Sequence, residues 1–205
     1  MTLSAGERPG HLRRNRMARV AGLALLGLGL THLVTATTGP DLNQLMQRMA
    51  LRPHAHAAFT ERHYLALLAG PLETSGELFF DAPDRLEKRT LVPKQESLVL
   101  EQDTLTIRRG RRHYQLQLQE YPQLAAVVDC VRATLAGDLA ALQRAYALQF
   151  EVTAEGWQLR LVPQDQRLAA MVKEIRIAGL QDDIRSVEIK QGNGDHSTLL
   201  IHALN

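Results

Sequence analysis

Short runs in which apolar and polar side chains alternate, punctuated by Gly, Pro, Asn and Asp, fill most of the chain from residue 57 onward. A period of two puts one set of side chains on each face of a strand, so such runs build an antiparallel sheet with one face covered and one face wet. The most strongly marked stretch lies between Pro71 and Pro93: Pro-Leu-Glu-Thr-Ser-Gly-Glu-Leu-Phe-Phe-Asp-Ala-Pro-Asp-Arg-Leu-Glu-Lys-Arg-Thr-Leu-Val-Pro. Strands are predicted at 77–80 and 85–90, joined by an Ala82-Pro83-Asp84 turn and stopped by proline at each end. Before them a strand at 57–67 breaks at Gly70-Pro71. After them come a hairpin at 97–100 and 104–108 and, beyond Gly110, a strand at 112–119 with Tyr114, Leu116 and Leu118 on one face. Further strands are predicted at 148–152, 157–162, 174–178, 184–190 and 198–202. Gly192-Asn193-Gly194-Asp195 between the last two is a hairpin signal, because Asn-Gly accepts positive φ. About ten antiparallel strands result, without an internal repeat.

Helical spacing appears in three places. Asp41 is placed to cap a short helix to about Ala50, with Leu42, Leu45, Met46 and Met49 on one side and Pro53 beyond its end. Leu124, Val128, Val131, Leu135, Leu139, Leu142 and Tyr146 recur at steps of three and four. Pro122 suits the first turn of that stripe, and Gly137-Asp138 suits a break with a new cap, so one or two helices lie there. A shorter helical piece is predicted near 166–172. The fold class is α+β, mostly β, with a helical insertion between two groups of strands.

The first 36 residues have a different character. Arg8, Arg13, Arg14, Arg16 and Arg19 precede an apolar run from Val20 to Leu30, and Val34-Thr35-Ala36 offers small residues for cleavage. This is the layout of a signal peptide, with the run too short to span a bilayer comfortably; residues 1–36 are the expected leader and 37–205 the exported domain. Met17 also qualifies as a start, since the segment from there to Ala36 keeps the three-part layout. The leader distorts the net charge of +2: without its five arginines and Glu7, the 24 basic and 22 acidic side chains fall to 19 and 21. A slightly acidic domain is not a polyanion binder by composition, and nucleic acid is excluded as an expected partner. Cys130 is the single cysteine, so no internal disulfide forms, and its place in a helical stripe suits a small buried hydrophobe. No cysteine stands directly after the apolar run, so the chain is not expected to carry a lipid of its own.

From Phe59-Thr60-Glu61 to Pro93 the chain resembles the bacterial outer-membrane lipoprotein carrier (LolA-like) family. That family has Phe-Thr-Gln near the start of the mature protein, Ser-x-Gly before a strand, a Pro-x-x-Leu/Phe turn (here Pro83 to Leu86) and a Pro about ten residues further on. Two positions depart from the pattern. Ala82 stands where the family often has an Arg linked to holding the lid closed, and Lys88 stands where an aromatic usually sits. The resemblance implies a half-open antiparallel β-barrel with a helical lid and acyl chains held between them. It points to Phe59, Leu78, Phe80, Leu86, Leu100, Leu116, Leu118, Trp157 and Leu159 on the strands, and to Val128, Val131 and Leu135 on the helix, as lipid-binding residues. It further implies a periplasmic monomer that takes a lipid or lipoprotein from an inner-membrane transporter to an outer-membrane acceptor, with no cofactor. Relatives resembling this divergent form are encoded beside aryl-polyene lipid pathways, which makes such a lipid a candidate cargo.

Magnitudes limit how a carrier of this kind works. An acyl chain gains about 0.8 kcal/mol per buried CH₂, so one sixteen-carbon chain contributes about 12 kcal/mol before ordering costs. Several fully buried chains would approach the non-covalent ceiling of roughly 20 kcal/mol and would never leave. Such a protein must bury its cargo incompletely. Catalytic signals are sparse: the chain has no Gly-x-Ser-x-Gly, His-Glu-x-x-His or Gly-rich phosphate loop. His54 and His56 share a strand face but lack a third ligand nearby, which favours solvated or hydrogen-bonded histidines over a metal site. Arg108, Arg109, Arg111 and Arg112 surround Gly110 at an expected hairpin tip; they are either a solvated turn or a contact for anionic headgroups or an acidic membrane partner. Two other functions remain compatible with the sequence, a protein-binding or sensory module on the same fold and an acyl hydrolase.

Overall fold

A computed structural model describes residues 41–204; the expected leader at 1–36 lies outside the described residues. The chain begins with α1 (Leu42–Ala50) and then lays down β1 (His54–Tyr64), β2 (Leu72–Asp81), β3 (Arg85–Val92), β4 (Glu96–Glu101), β5 (Thr104–Arg109) and β6 (Arg112–Gln117). A single 3₁₀ turn (Leu118–Glu120) leads into α2 (Pro122–Leu135) and α3 (Leu139–Ala145). The rest is β7 (Tyr146–Thr153), β8 (Gly156–Pro163), α4 (Gln166–Met171), β9 (Val172–Leu180), β10 (Asp183–Gln191) and β11 (His196–Ala203).

All eleven strands form one antiparallel sheet in the order β6-β5-β4-β3-β2-β1-β11-β10-β9-β8-β7. The chain therefore steps outward from the centre to the β6 edge, crosses to the β7 edge through α2 and α3, and steps back until β11 pairs with β1. Edges β6 and β7 do not pair, so the sheet stays open, as the half-open barrel expected from the sequence requires.

The local signals work as their chemistry dictates. The Asp41 carboxylate accepts from the Gln44 N–H at 2.8 Å, Asp138 from Ala141 at 2.9 Å, and Asp165 from Arg167 and Leu168, each capping a helix whose first N–H groups lack partners. Pro122 occupies the first turn of α2, where its missing N–H costs nothing. Gly194, with φ of +91°, turns β10 into β11.

Some boundaries differ from expectation. The strand expected at 77–80 starts at Leu72, because Gly76 is not its boundary but sits at a register shift, with Ser75 opposite Val92 and Gly76 opposite Thr90. The backbones approach so closely there that a Cβ on Gly76 would lie 1.9 Å from the Arg89 carbonyl oxygen. Tyr146 opens β7 instead of closing the helical stripe, and its hydroxyl donates to the Ala126 carbonyl on α2 at 2.9 Å. Leu118 leaves the strand face of Tyr114 and Leu116 for the 3₁₀ turn and is buried, while Tyr114 is exposed.

Two apolar clusters form. The larger packs α1 and α3 against β7–β10, around Leu45, Met46, Leu142, Leu159, Leu161, Ile175 and Ile177. The smaller gathers Leu100, Leu105 and Leu118 under α2, with Leu124, Ala125 and Val128 from the helix.

A candidate acyl-chain groove

Between these clusters the sheet and α2 do not close on each other. A groove of about 590 Å³ remains, within the roughly 300–1,000 Å³ typical of small-molecule sites. Its sheet wall carries Leu78, Phe80, Leu86, Leu98, Leu100 and Leu105 on one side and Ile184, Val187, Ile189, Leu199 and Ile201 on the other. Its lid wall is one stripe of α2: Leu124, Val127, Val128, Val131 and Leu135. Cross-strand register explains why these residues meet. Phe80 stands opposite Leu86, Leu86 opposite Leu100, and Leu100 opposite Leu105, so one row of side chains crosses four strands on the inner face.

Of the residues singled out from sequence, Leu78, Phe80, Leu86, Leu100, Val128, Val131 and Leu135 line this groove. Phe59 lies on the same inner face but is buried, beneath the Lys88 ammonium, which sits 4.9 Å from its ring centre. Leu116 and Leu118 belong to the smaller cluster under α2. Leu159 is fully enclosed in the larger cluster. Trp157 packs there too, donating from Nε1 to the Gln181 carbonyl at 2.9 Å, and borders a separate depression beside the β7–β8 hairpin. The β10 and β11 part of the wall was not singled out, since nothing in those strands marks which of two alternating sets faces inward.

A polar seam crosses the inner face. Lys88 stands between Leu78 and Leu98 in its cross-strand row. Its Nζ donates to Glu61 Oε2, which also lies 3.0 Å from His63 Nε2 and 3.4 Å from Thr74 Oγ1. Lys88 and Glu61 both line the groove. Burial opposes ionisation of Glu61, but the His63 hydrogen bond and the Lys88 charge outweigh it and hold the carboxyl down to about 2. The Glu61 carboxylate is therefore charged at any physiological pH.

Further polar contacts fasten the rim. Arg52, just beyond α1, reaches Asp182 at 2.7 Å and Asp183 at 2.6 Å on the β9–β10 turn. Arg132 on α2 donates to the Gln102 carbonyl of the β4–β5 turn at 2.7 Å and ties the lid helix to the sheet.

The other candidates are placed as follows. Arg108, Arg109, Arg111 and Arg112 form the β5–β6 tip around Gly110, whose φ is +58°; all four are exposed and Arg109 pairs with Glu96. Antiparallel order puts that tip at the same end of the sheet as the β1–β2 loop, where Leu67 and Leu68 are exposed, and as Leu91 and Val92 at the end of β3. His54 and His56 both border the groove, His54 Nδ1 lying 2.9 Å from Asp81 and the His56 ring stacking on Phe79 at 4.3 Å. Among the described residues no group of three His, Cys, Asp or Glu side chains is gathered for a metal. Cys130 is buried on α2, and burial pushes its thiol up to about 12, far from a reactive thiolate.

Comparison with solved structures returns a LolA superfamily protein from Nitrosomonas europaea, at 8% identity over 82% of this chain and 95% of that one, with a TM-score of 0.44. The lipoprotein LppX of Mycobacterium tuberculosis follows at 11% identity, 78% and 92% coverage and a TM-score of 0.41. The MucA/MucB complex of Pseudomonas aeruginosa gives 14% identity, 81% and 57% coverage and 0.42. No curated protein matches the chain. The family described as "Outer membrane lipoprotein carrier protein LolA-like" matches residues 34–205, well over half of the chain, and the protein belongs to that family.

Proposed function

We propose that this protein is exported with residues 1–36 removed and carries acyl chains of a lipid or lipoprotein across the periplasm, from the inner to the outer membrane, without chemical change to its cargo. The observation that carries the reading is the groove itself, an aliphatic space of about 590 Å³ left between sheet and lid. Burying ten methylenes there is worth about 8 kcal/mol before ordering costs. That is enough to hold a chain and little enough to release it. Leucine and valine walls, with few rings to impose a shape, suit a cargo that is itself flexible. In this reading Arg108, Arg109, Arg111 and Arg112 meet anionic headgroups or an acidic partner while cargo is handed over. The family points to a transporter and an acceptor at the two membranes as the partners of that transfer.

The test is organic extraction and mass spectrometry of the protein purified from its native periplasm. A near-stoichiometric lipid or acylated peptide supports the carrier and names the cargo, an aryl-polyene lipid included. A protein that emerges empty and also ignores added lipids refutes it.

A further inference from the structure

The groove is lined mostly by apolar side chains, with charged residues among them, including Arg52, Asp182, Asp183 and Arg185 and, amid the leucines of the inner face, Lys88 and Glu61. Lys88 interrupts a cross-strand row whose neighbours on both sides are leucines, Leu78 and Leu98, and it lines the space in which a chain would lie. A lysine ammonium has three N–H donors. Among the described residues only Glu61 accepts from Lys88, and the face of Phe59 takes the cation from another side. Its remaining donor capacity has no partner among the described residues. Glu61 is nearly enclosed and its other contacts come from His63 and Thr74, so the acid is occupied and the base is not.

The charge count sets what can satisfy Lys88. Glu61 stays ionised and balances the ammonium, so the Lys88–Glu61 pair is neutral, with His63 Nε2 3.0 Å from the same carboxylate oxygen. A cargo carboxylate at Lys88 would place a second negative charge beside Glu61 in a low-dielectric site. The Lys88 side chain is 26% exposed, so its free N–H faces the open groove, and a neutral oxygen acceptor would take it without that repulsion. The carbonyl of an ester or amide linkage, the group that joins an acyl chain to the rest of a lipid or acylated peptide, fits this requirement.

Building on the acyl-carrier reading above, we propose that Lys88 is a cargo-recognition residue: its ammonium, held in place by Glu61, donates a hydrogen bond to the neutral carbonyl of an acyl ester or amide in the groove. The acyl chain supplies affinity, and Lys88 sets where along the chain the linkage rests. No bond is made or broken.

Infrared spectroscopy of the full mature protein with methyl dodecanoate, ¹³C-labelled at the carbonyl, tests this directly. In the wild-type protein the bound carbonyl band is expected at lower wavenumber than in dodecane, as for an accepted hydrogen bond. Lys88→Met is expected to return the band to its dodecane position and to weaken ester binding about tenfold, the loss of one charged hydrogen bond. If the wild-type protein takes up no ester, the carrier reading fails and this inference with it. If ester binds but its band stays at the dodecane position, or if Lys88→Met keeps the shifted band, the role of Lys88 alone is overturned. Should Lys88→Met not fold, the wild-type band position decides.

Discussion

Replacing Glu61 by Gln removes one negative charge from the inner face of the sheet, and its cost can be worked from the structure. The Glu61 carboxyl falls from an ordinary value of 4.5 to about 2 in the folded protein. At about 1.36 kcal/mol per unit, a depression of that size corresponds to about 3 kcal/mol of stability. A folded-state value below the unfolded one means that the contribution is complete above pH 4.5 and is lost as pH falls toward 2. Glu61→Gln is therefore expected to cost about 3 kcal/mol at pH 7 and almost nothing near pH 2. Trp157, the only tryptophan, is buried in the larger cluster and reports unfolding by its fluorescence. With a urea dependence of about 2 kcal/mol per molar, the midpoint at pH 7 should drop by about 1.5 M. Glu174 and Glu87 are also held below their ordinary values, despite some burial, by the arginines and lysine around them, so both proteins will lose stability in acid. Only the difference between them isolates Glu61. Equal midpoints at pH 7 would refute the reasoning, and a gap that persists unchanged at pH 2 would assign the loss to packing instead of charge.

Gly76→Ala should destabilise by about 2 kcal/mol, read as a lower urea midpoint, because its Cβ would overlap the Arg89 carbonyl and neither strand can give way without losing register. Arg132→Ala removes the tie from lid to β4–β5 turn, worth about 1 kcal/mol, so amide exchange along α2 should accelerate about fivefold while β8 and β9 keep their protection. Val128→Asp puts a charge on the lid wall of the groove and should abolish lipid copurification, measured by extraction and mass spectrometry. Changing Arg108, Arg111 and Arg112 together to Gln should weaken binding to vesicles containing anionic lipid by at least tenfold at low salt, since each basic group near such a surface is worth about 1 kcal/mol. Unchanged vesicle binding would leave the tip a solvated turn.

What was legible in the sequence follows from which side chains can act alone. Caps, turns and the stripe of α2 are local, and Asp41, Asp138, Pro122 and Gly194 do in the structure what their chemistry prescribes. The groove is not local. Leu78 and Phe80 line it, as do Ile189 and Leu199 on the opposite wall, but alternation alone leaves open which set of residues in each strand faces inward. Leu159 is as apolar as any groove residue, yet it lies fully enclosed where α1 and α3 press onto the sheet. Hydrophobicity marks a covered face, and only the distance to whatever covers it separates a core from a cavity. Lys88 is the instructive exception. The sequence marked it as a charge in a place the family usually gives to an aromatic, while its meaning depended on Glu61, 27 positions earlier in the chain and two strands away in the sheet. An aromatic there would fill the groove and could be satisfied by any apolar chain. On the proposal made above, a lysine with a bound carboxylate asks for an acceptor and so narrows the range of cargo, while the surrounding leucines leave the shape of the chain unspecified.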